Sequence, residues 1–581
     1  MDPLLLGLLV AVIGIIMIAV VTALAQRLGV AGPLLLVGAG LVIALVPVVE
    51  IPPIDPELIL VGILPPLLYS AAVNLPAVEF RRDFGPIAGL SVVLVVLSAL
   101  VLGVFFWLMI PSVELPLGIA LGAILSPTDA VATSIARRLG LAGRVVTMLE
   151  GESLLNDATA LVLLRTAIAA IAAGFSAGGA VGAFVWGVFV AVVVGAAVGW
   201  LVLRLRAWVG SSAAQTAISF TVPFLAYIPA EQAGGSGLVA AVVAGIVMGQ
   251  GARRRLTPEQ RISDTLNWRT VELVLEGAVF LVMGLELREI VQQNLADSGG
   301  LWHGTWLALC ALAIVLMVRA GYVSVIVWGQ GRRARRMDRQ RLESFGEKID
   351  AMSDGRIPVP RGPGIPTDPE RRQRRLDAMR TRIRRGIADI DYYQSTPLGW
   401  RHGSVIVWAG MRGVVTLAAA QTLPRDGVEH RALLVFVAFL VALVSLMLQG
   451  FTLPWLVRRL GLAGSGAEDV GRAEKAILDE QLRDAGMAAL ASRDLRRRDG
   501  TPLSGEISER VRERMSAPPD DEDRPAAARD RYEIRLITIS AMRRRLDELS
   551  HDGSYSSAAL RRAQAELDAD ELSIRLRLGE A

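Results

Sequence analysis

Eight ionisable side chains stand within or beside apolar runs of this chain: Asp129, Glu150, Glu152, Asp157, Arg165, Glu276, Glu286 and Arg412. A charge at the centre of a membrane helix costs roughly 2.5–3.5 kcal/mol on insertion scales, so such groups face a cavity, pair with each other or bind an ion. The densest group is Glu150-Gly151-Glu152-Ser153-Leu154-Leu155-Asn156-Asp157-Ala158-Thr159. Residues four apart share a helix face. Ser153 and Asp157 therefore line one stripe, and Glu152 and Asn156 the stripe beside it. Hydroxyl, amide and carboxylate oxygens suit a hard monovalent cation, whereas zinc or copper would call for the sulfur or imidazole that this set lacks.

Two further segments break the helix that carries them. In Leu125-Ser126-Pro127-Thr128-Asp129-Ala130-Val131-Ala132-Thr133, Pro127 has no N–H and clashes with the carbonyl four residues earlier. A kink alone would need no carboxylate, but Thr128-Asp129 adjoins this one. Carbonyls freed inside a bilayer need partners, and an ion or a polar cavity can supply them. In Trp408-Ala409-Gly410-Met411-Arg412-Gly413-Val414-Val415, two glycines flank a membrane-depth arginine and make irregular backbone cheap. Interrupted helices at matching positions of two halves point to a binding site under an inverted repeat. If spans 1–6 and 8–13 are the repeats, the fifth and twelfth spans correspond, although no residue-level repeat is evident.

The elements that must position these residues are membrane helices. Of 581 residues, 53% are hydrophobic, with a mean hydropathy of +0.47, more apolar than an ordinary soluble domain. Runs long enough to cross a bilayer fall near 4–24, 30–49, 57–73, 85–110, 116–136, 146–173, 179–203, 212–229, 236–250, 271–291, 304–328, 400–423 and 430–457. The expectation is an all-α membrane protein of about thirteen spans, in two inverted repeats with interrupted crossing helices, plus a helical cytoplasmic tail. Spans 1–11 occupy 1–330, an Arg-rich insert 331–398, spans 12–13 residues 399–460, and the tail 461–581. Ala23-Leu24-Ala25 resembles a signal cleavage site, but the start is acidic and the apolar run is long enough to be kept as a span.

Basic residues recur on alternate loops: Arg27, then Arg81 and Arg82, then Arg137, Arg138 and Arg144. Arg204 and Arg206, Arg253 to Arg255, and Arg458 and Arg459 continue the series. Lys and Arg are retained on the cytoplasmic side, which puts the N-terminus outside and the tail inside. A net charge of +4 makes no case for nucleic acid. The single cysteine, Cys310, rules out an intrachain disulfide and packs as a small hydrophobe. The insert, with a Pro/Gly stretch at Ile357–Pro369, either lies along anionic headgroups or forms a solvated helical layer. In the tail, Ala467–Ala491 and Arg529–Leu549 carry apolar residues at helical spacing. The tail has no Gly-rich phosphate loop or catalytic cluster, so nothing points to an enzyme.

At these residues the chain resembles the sodium/proton antiporters of the NhaP-like and NHE-like branch. The matches are Ser126-Pro127-Thr128-Asp129, Glu152-Ser153-Leu154-Leu155-Asn156-Asp157 and Gly410-Met411-Arg412-Gly413, with weaker ones at Leu64-Pro65-Pro66-Leu67-Leu68-Tyr69 and Glu276 to Gly284. They cover about residues 1–460 in the family's order. The resemblance implies a homodimer in the cell membrane, each copy with a mobile core and a dimerisation domain. It implies Na⁺ (or Li⁺ or K⁺) and H⁺ as substrates, a pH-regulating role and no cofactor. Asp157 would be the carboxylate for which cation and proton compete. The Thr128 carbonyl and Ser153 would complete a monovalent-cation site, and Asp129 would sit at the crossing. Glu152 and Arg412 would form a buried ion pair bracing the core. Asn156, where the electrogenic branch has a second aspartate, resembles the electroneutral exchangers. Glu276 is an accessory candidate through its local motif. Two features depart from the family: the long insert between the eleventh and twelfth spans, and Arg165, which pairs with a carboxylate or marks the outer end of the site. His402 near the twelfth span is a candidate pH sensor.

Two other classes compete. A channel would need a continuous pore with a multi-site filter, and the sequence has one acidic cluster and no filter-like repeat. A membrane sensor would signal through its tail, so deleting the tail would abolish function rather than merely change its regulation. A K⁺-selective exchanger is the alternative within the antiporter class, because all alkali cations bind oxygen.

Overall fold

The computed structural model describes residues 3–46, 55–129, 131–173, 177–296, 300–336, 369–395, 397–424, 429–464 and 557–578, with a few further positions between 344 and 542. Among these residues the chain is helical throughout, with loops and no strands. It forms two compact units, Met1–Ala467 and Glu468–Ala581.

The first unit begins with α1 (Pro3–Leu28), α2 (Gly32–Ala44), α3 (Leu58–Asn74), α4 (Ala77–Arg82) and α5 (Phe84–Met109). It continues with α6 (Leu115–Ile124), α7 (Val131–Arg138), α8 (Gly143–Ala173) and α9 (Ala177–Trp208). Then come α10 (Ser212–Gln232), α11 (Gly237–Arg255), α12 (Pro258–Leu285), α13 (Leu287–Ala296) and α14 (Leu301–Arg336). Helix α15 (Pro369–Ser395) belongs to the insert, and α16 (Trp400–Trp408), α17 (Val414–Gln421) and α18 (Arg431–Arg459) complete the unit. Among the described residues, six segments are each long and apolar enough to cross a membrane: Gly7–Leu28, Phe84–Met109, Gly143–Ile171, Val181–Trp208, Leu301–Arg332 and Arg431–Arg459.

The apolar runs 116–136 and 400–423, read as single spans, are each two helices. The break between α6 and α7 spans Pro127, and the break between α16 and α17 spans Gly410 to Gly413. Elsewhere the helix starts follow ordinary capping chemistry. Ser211 and Ser236 accept from the backbone three residues on, and Thr257 with Gln260 forms a reciprocal capping box.

Packing separates the helices of this unit into two groups. In one, which we call the core, α5 packs on α6, α8 and α14, α6 also on α8, and α18 on α14 and α17. In the other, the scaffold, α11 packs on α3, α9 and α10, and α12 on α1, α2 and α10. Close approach rests on small residues, as is usual between membrane helices. A Cβ added at Gly118 would strike the Gly103 carbonyl, and one at Gly122 the Ala99 carbonyl, so α5 and α6 touch backbone to backbone.

The insert is neither wholly solvated nor loose where it is described. On α15, the Tyr392 hydroxyl donates to Asp83 Oδ2 at 2.9 Å and the Tyr393 hydroxyl to the Arg82 carbonyl at 2.6 Å. Arg82 Nε reaches Asp389 Oδ1 at 2.6 Å. Asp83 is fully buried and pairs with Arg144 at the start of α8, through Nη2 at 2.9 Å and Nε at 3.0 Å. The Arg144 guanidinium also lies over the Tyr393 ring. The stretch 353–368 lies outside the described residues.

In the second unit the described residues form α19 (Ser557–Leu578) and a helical stretch over 534–542, where Arg535 and Asp570 approach at 3.4 Å. The expected tail helix Ala467–Ala491 falls outside the described residues except at isolated positions.

Candidate functional site

The two helix breaks meet. The Asp129 backbone N–H donates to the Met411 carbonyl at 2.7 Å, a single strand-like bond between two interrupted segments. Asp129 Oδ1 accepts the Val131 N–H at 3.0 Å, as a cap on the first turn of α7. Gly413 is required beside it, because a Cβ there would overlap the Asp129 carboxylate.

The freed carbonyls find protein partners. Arg412 Nε donates to the Leu125 carbonyl at 3.0 Å and its Nη1 to the Gly410 carbonyl, while its backbone N–H donates to Ser445 Oγ at 3.0 Å. One guanidinium thus serves the exposed ends of both broken helices, with its planar fork of donors. The Ser126 hydroxyl donates to the Gly122 carbonyl at 2.8 Å. The Thr128 carbonyl, in turn, accepts the Ser153 hydroxyl at 3.1 Å.

The expected Glu152–Arg412 ion pair is not formed. Glu152, only 1% exposed, is instead paired with Arg319 of α14, through Nη2 to Oε2 at 2.8 Å and Nη1 to Oε1. Arg319 also donates from Nε to the Ile406 carbonyl at 3.0 Å, at the frayed end of α16. The physical reason is an allocation of donors. Arg412 is consumed by the carbonyls that the breaks expose, so the buried carboxylate needs a second arginine. Glu152 Oε1 also takes the Thr128 hydroxyl at 3.4 Å, and Thr128 Oγ1 accepts from Asn156 Nδ2 at 2.5 Å. Asn156 therefore lies behind the cavity wall, in a polar chain running Arg319, Glu152, Thr128, Asn156. Arg319 sits alone among apolar neighbours from Leu307 to Val327, and that isolation was the available sequence signal.

Asp157 is treated differently. It is 7% exposed, and among the described residues no side chain or backbone group donates to it. It lines a cavity of about 340 Å³ together with Asp129, Thr128, Ser153, Gly413 and Glu276. One wall is core (the 127–137 segment and the face of α8 bearing Glu150, Ser153, Leu154 and Asp157), and the other is scaffold (α3 and α12). The cavity extends from Asp157 toward Glu150, Arg137, Asn74 and Leu75, and because the Arg137 side chain is 71% exposed we call this end its mouth. Glu150 is paired there with Arg137, and Glu272 with Ser70, whereas Glu276 makes no side-chain hydrogen bond or ion pair among the described residues. Asp157, Ser153 and Thr128 thus border one cavity, and their oxygens have the chemistry of a hard-cation site.

Arg165 does not reach this cavity. Its Nη1 contacts Glu231 Oε2 at 2.5 Å, across to α10. Glu286, beyond the cavity end of α12, accepts from Gln421 Nε2 at 2.7 Å.

Comparison with known proteins bears on the whole of this arrangement. The transmembrane sodium/hydrogen exchanger family matches residues 14–341 and 382–459. An Na(+)/H(+) exchanger of Mycobacterium tuberculosis is 28% identical over 589 residues, covering 99% of this chain and 97% of the relative. The Na(+)/H(+) antiporter ApNhaP of Aphanothece halophytica is 26% identical over 440 residues, covering 75% of this chain and 70% of the relative. The sodium proton antiporter MjNhaP1 of Methanocaldococcus jannaschii shares the fold, with a TM-score of 0.54 and 15% identity over 79% of this chain and 99% of that one.

Proposed function

We propose that this chain, which belongs to the sodium/hydrogen exchanger family, exchanges Na⁺ for H⁺ by carrying one or the other on Asp157. As a member it is a multi-pass membrane protein and a secondary transporter of monovalent cations and protons, not an enzyme. The observation that supports the specific reading is a buried carboxylate with no donor among the described residues, facing a cavity between two separately packed helix groups.

The physical argument runs through charge. An ionised group deprived of water is costly unless it is neutralised. A proton neutralises Asp157 directly, and a partly dehydrated cation does so with the Thr128 carbonyl and Ser153 oxygen supplying further ligands. Asp129, at the crossing, adds negative potential that favours either occupant. Only a neutralised core crosses the apolar barrier between the two access states cheaply, which couples the two fluxes. Asn156 is neutral and committed to Thr128, so Asp157 alone would change occupancy, and exchange would be electroneutral.

Arg137 lies at the mouth end of the cavity and Arg138 follows it in sequence, which supports a cytoplasmic mouth, an external N-terminus and residence in the cell membrane. We read the working form as a homodimer joined through the scaffold group, whose α1 and α9 carry many exposed apolar side chains. Oxygen ligands admit Na⁺, Li⁺ and K⁺ alike.

The test is a proteoliposome assay of cation-driven pH change, with the membrane potential clamped. The intact protein should acidify or alkalinise the lumen with the sign of the imposed Na⁺ gradient, and Asp157→Asn should not. Exchange retained by Asp157→Asn would remove the carboxylate from the mechanism. Currents that do not saturate would point to a channel.

A further inference from the structure

The cavity accounts for one side of Asp157, and beyond its other side lie polar contacts that no part of the exchange site uses. Along α8, residues 157 to 165 span about 12 Å at 1.5 Å per residue, in the direction away from Glu150 and the mouth. At that point Arg165 Nη1 meets Glu231 Oε2 at 2.5 Å, joining the core to the end of α10 in the scaffold. Glu231 is held for the purpose, since its other oxygen accepts the Gly237 N–H at 2.8 Å from the start of α11.

A second contact spans the same gap. Gln421, at the end of α17 in the core, donates from Nε2 to Glu286 Oε2 at 2.7 Å. On α12 the cavity is lined as far as Phe280, so Glu286 lies beyond it, on the same far side as Arg165. The core end of this contact is also fixed: Arg431 donates to the Gln421 carbonyl at 2.6 Å and to the Leu423 carbonyl at 2.9 Å.

We infer that Arg165–Glu231 and Gln421–Glu286 form a two-point latch that keeps the far side of Asp157 closed while the mouth is open. This rests on the alternating-access reading given above. Carrying Asp157 to the far side requires core and scaffold to part there, and both contacts must then break. They differ in strength. Arg165 is 57% exposed at its side chain, so water replaces its partner readily. Glu286 is 7% exposed and hydrogen-bonded within the protein, so Gln421–Glu286 is the firmer point. On the mouth side, a comparable contact between the groups, Arg138 Nη1 to the Val30 carbonyl, is 3.4 Å long and exposed. The imbalance biases the protein toward the mouth-open state.

The experiment uses the full chain in proteoliposomes, in a Cys310→Ser background, with Gln421→Cys and Glu286→Cys introduced together. A short bifunctional methanethiosulfonate should lower exchange by about tenfold or more, since a trapped state contributes no turnover, and dithiothreitol should restore it. Each single cysteine should be indifferent to the reagent. Undiminished exchange by protein shown by mass to be cross-linked overturns the latch. Should the cysteine pair fail to fold, Gln421→Ala and Arg165→Gln give a second reading by hydrogen–deuterium exchange. Faster uptake over residues 158–170 and 414–424 supports the latch, and unchanged uptake overturns it. If the unaltered protein exchanges nothing, the antiport reading fails while the uptake measurement still decides the latch.

Discussion

Glu152 and Asp157 are carboxylates on the same helix, a turn and a half apart, yet their surroundings are opposite. Glu152 is saturated: a two-pronged arginine, a threonine hydroxyl, and neighbours that are themselves bonded. Asp157 faces a cavity and receives nothing from the described residues. The difference follows from which face of α8 each occupies. The Glu152 stripe turns into the core, where an unpaired charge would be prohibitive. The Asp157 stripe turns to the seam between core and scaffold, where an ion or proton can arrive. On the proposed function, one charge braces the core, and the other is left for the cargo.

The same contrast can be broken experimentally, most severely at the braced carboxylate. Arg319→Ala strands Glu152 in the core and should destabilise the protein by about 3–5 kcal/mol, read as a large fall in the thermal unfolding midpoint of purified protein. Intact stability with lost transport would instead move the pair to the ion path. Arg412→Ala leaves the Leu125 and Gly410 carbonyls without their donor, at about 1–3 kcal/mol for each stranded group. The two together come to about 2–6 kcal/mol, so its thermal midpoint should fall by an amount comparable to that of Arg319→Ala.

A second buried pair, Asp83–Arg144 at the start of α8, resembles Glu152–Arg319 but is finished by the insert through Tyr392. Tyr392→Phe removes a hydroxyl bond to a charged group and should cost about 1.5 kcal/mol, with looser protease resistance of the insert as the accompanying sign. Burial and then the Asp83 charge raise the Tyr392 phenol above its ordinary value. A raised value means that the folded state keeps the proton. The contact is therefore fully present below the ordinary tyrosine range and is lost only as pH rises through the raised value. Titrating the insert's protease resistance from neutral to mildly alkaline pH should show no change. Finally, Asp157→Asn strands no partner and should leave the unfolding midpoint unlowered, the smallest structural effect of the set beside the largest functional one.

Local chemistry was legible in the sequence. Pro127 marked its break, Gly410 and Gly413 marked theirs, and the four-residue spacing separated the Ser153–Asp157 stripe from the Glu152–Asn156 stripe. Pairings between distant helices were not. Glu152 and Arg319 are brought together because α5 packs on both α8 and the distant α14, and no local pattern records that. Arg144 is counted among loop charges in a topology argument, yet it is buried against Asp83. Arg206, counted likewise, is buried beside Asp264 at 3.1 Å. Charge sign carries the proposed sidedness, but it could not reveal which arginines are solvated and which are structural. The insert illustrates the same limit: its composition allows a lipid-facing or a solvated helix, and its docking depends on two tyrosines whose partners lie some 300 residues away.

The central claim is that cation and proton compete for Asp157, and the most direct test is proton release on cation binding. Purified protein in weakly buffered solution would be mixed with Na⁺ while the pH is followed, beside Asp157→Asn under the same conditions. The account predicts proton release on Na⁺ addition by the unaltered protein and none by Asp157→Asn. Na⁺ binding without proton release, or release undiminished in Asp157→Asn, would contradict it.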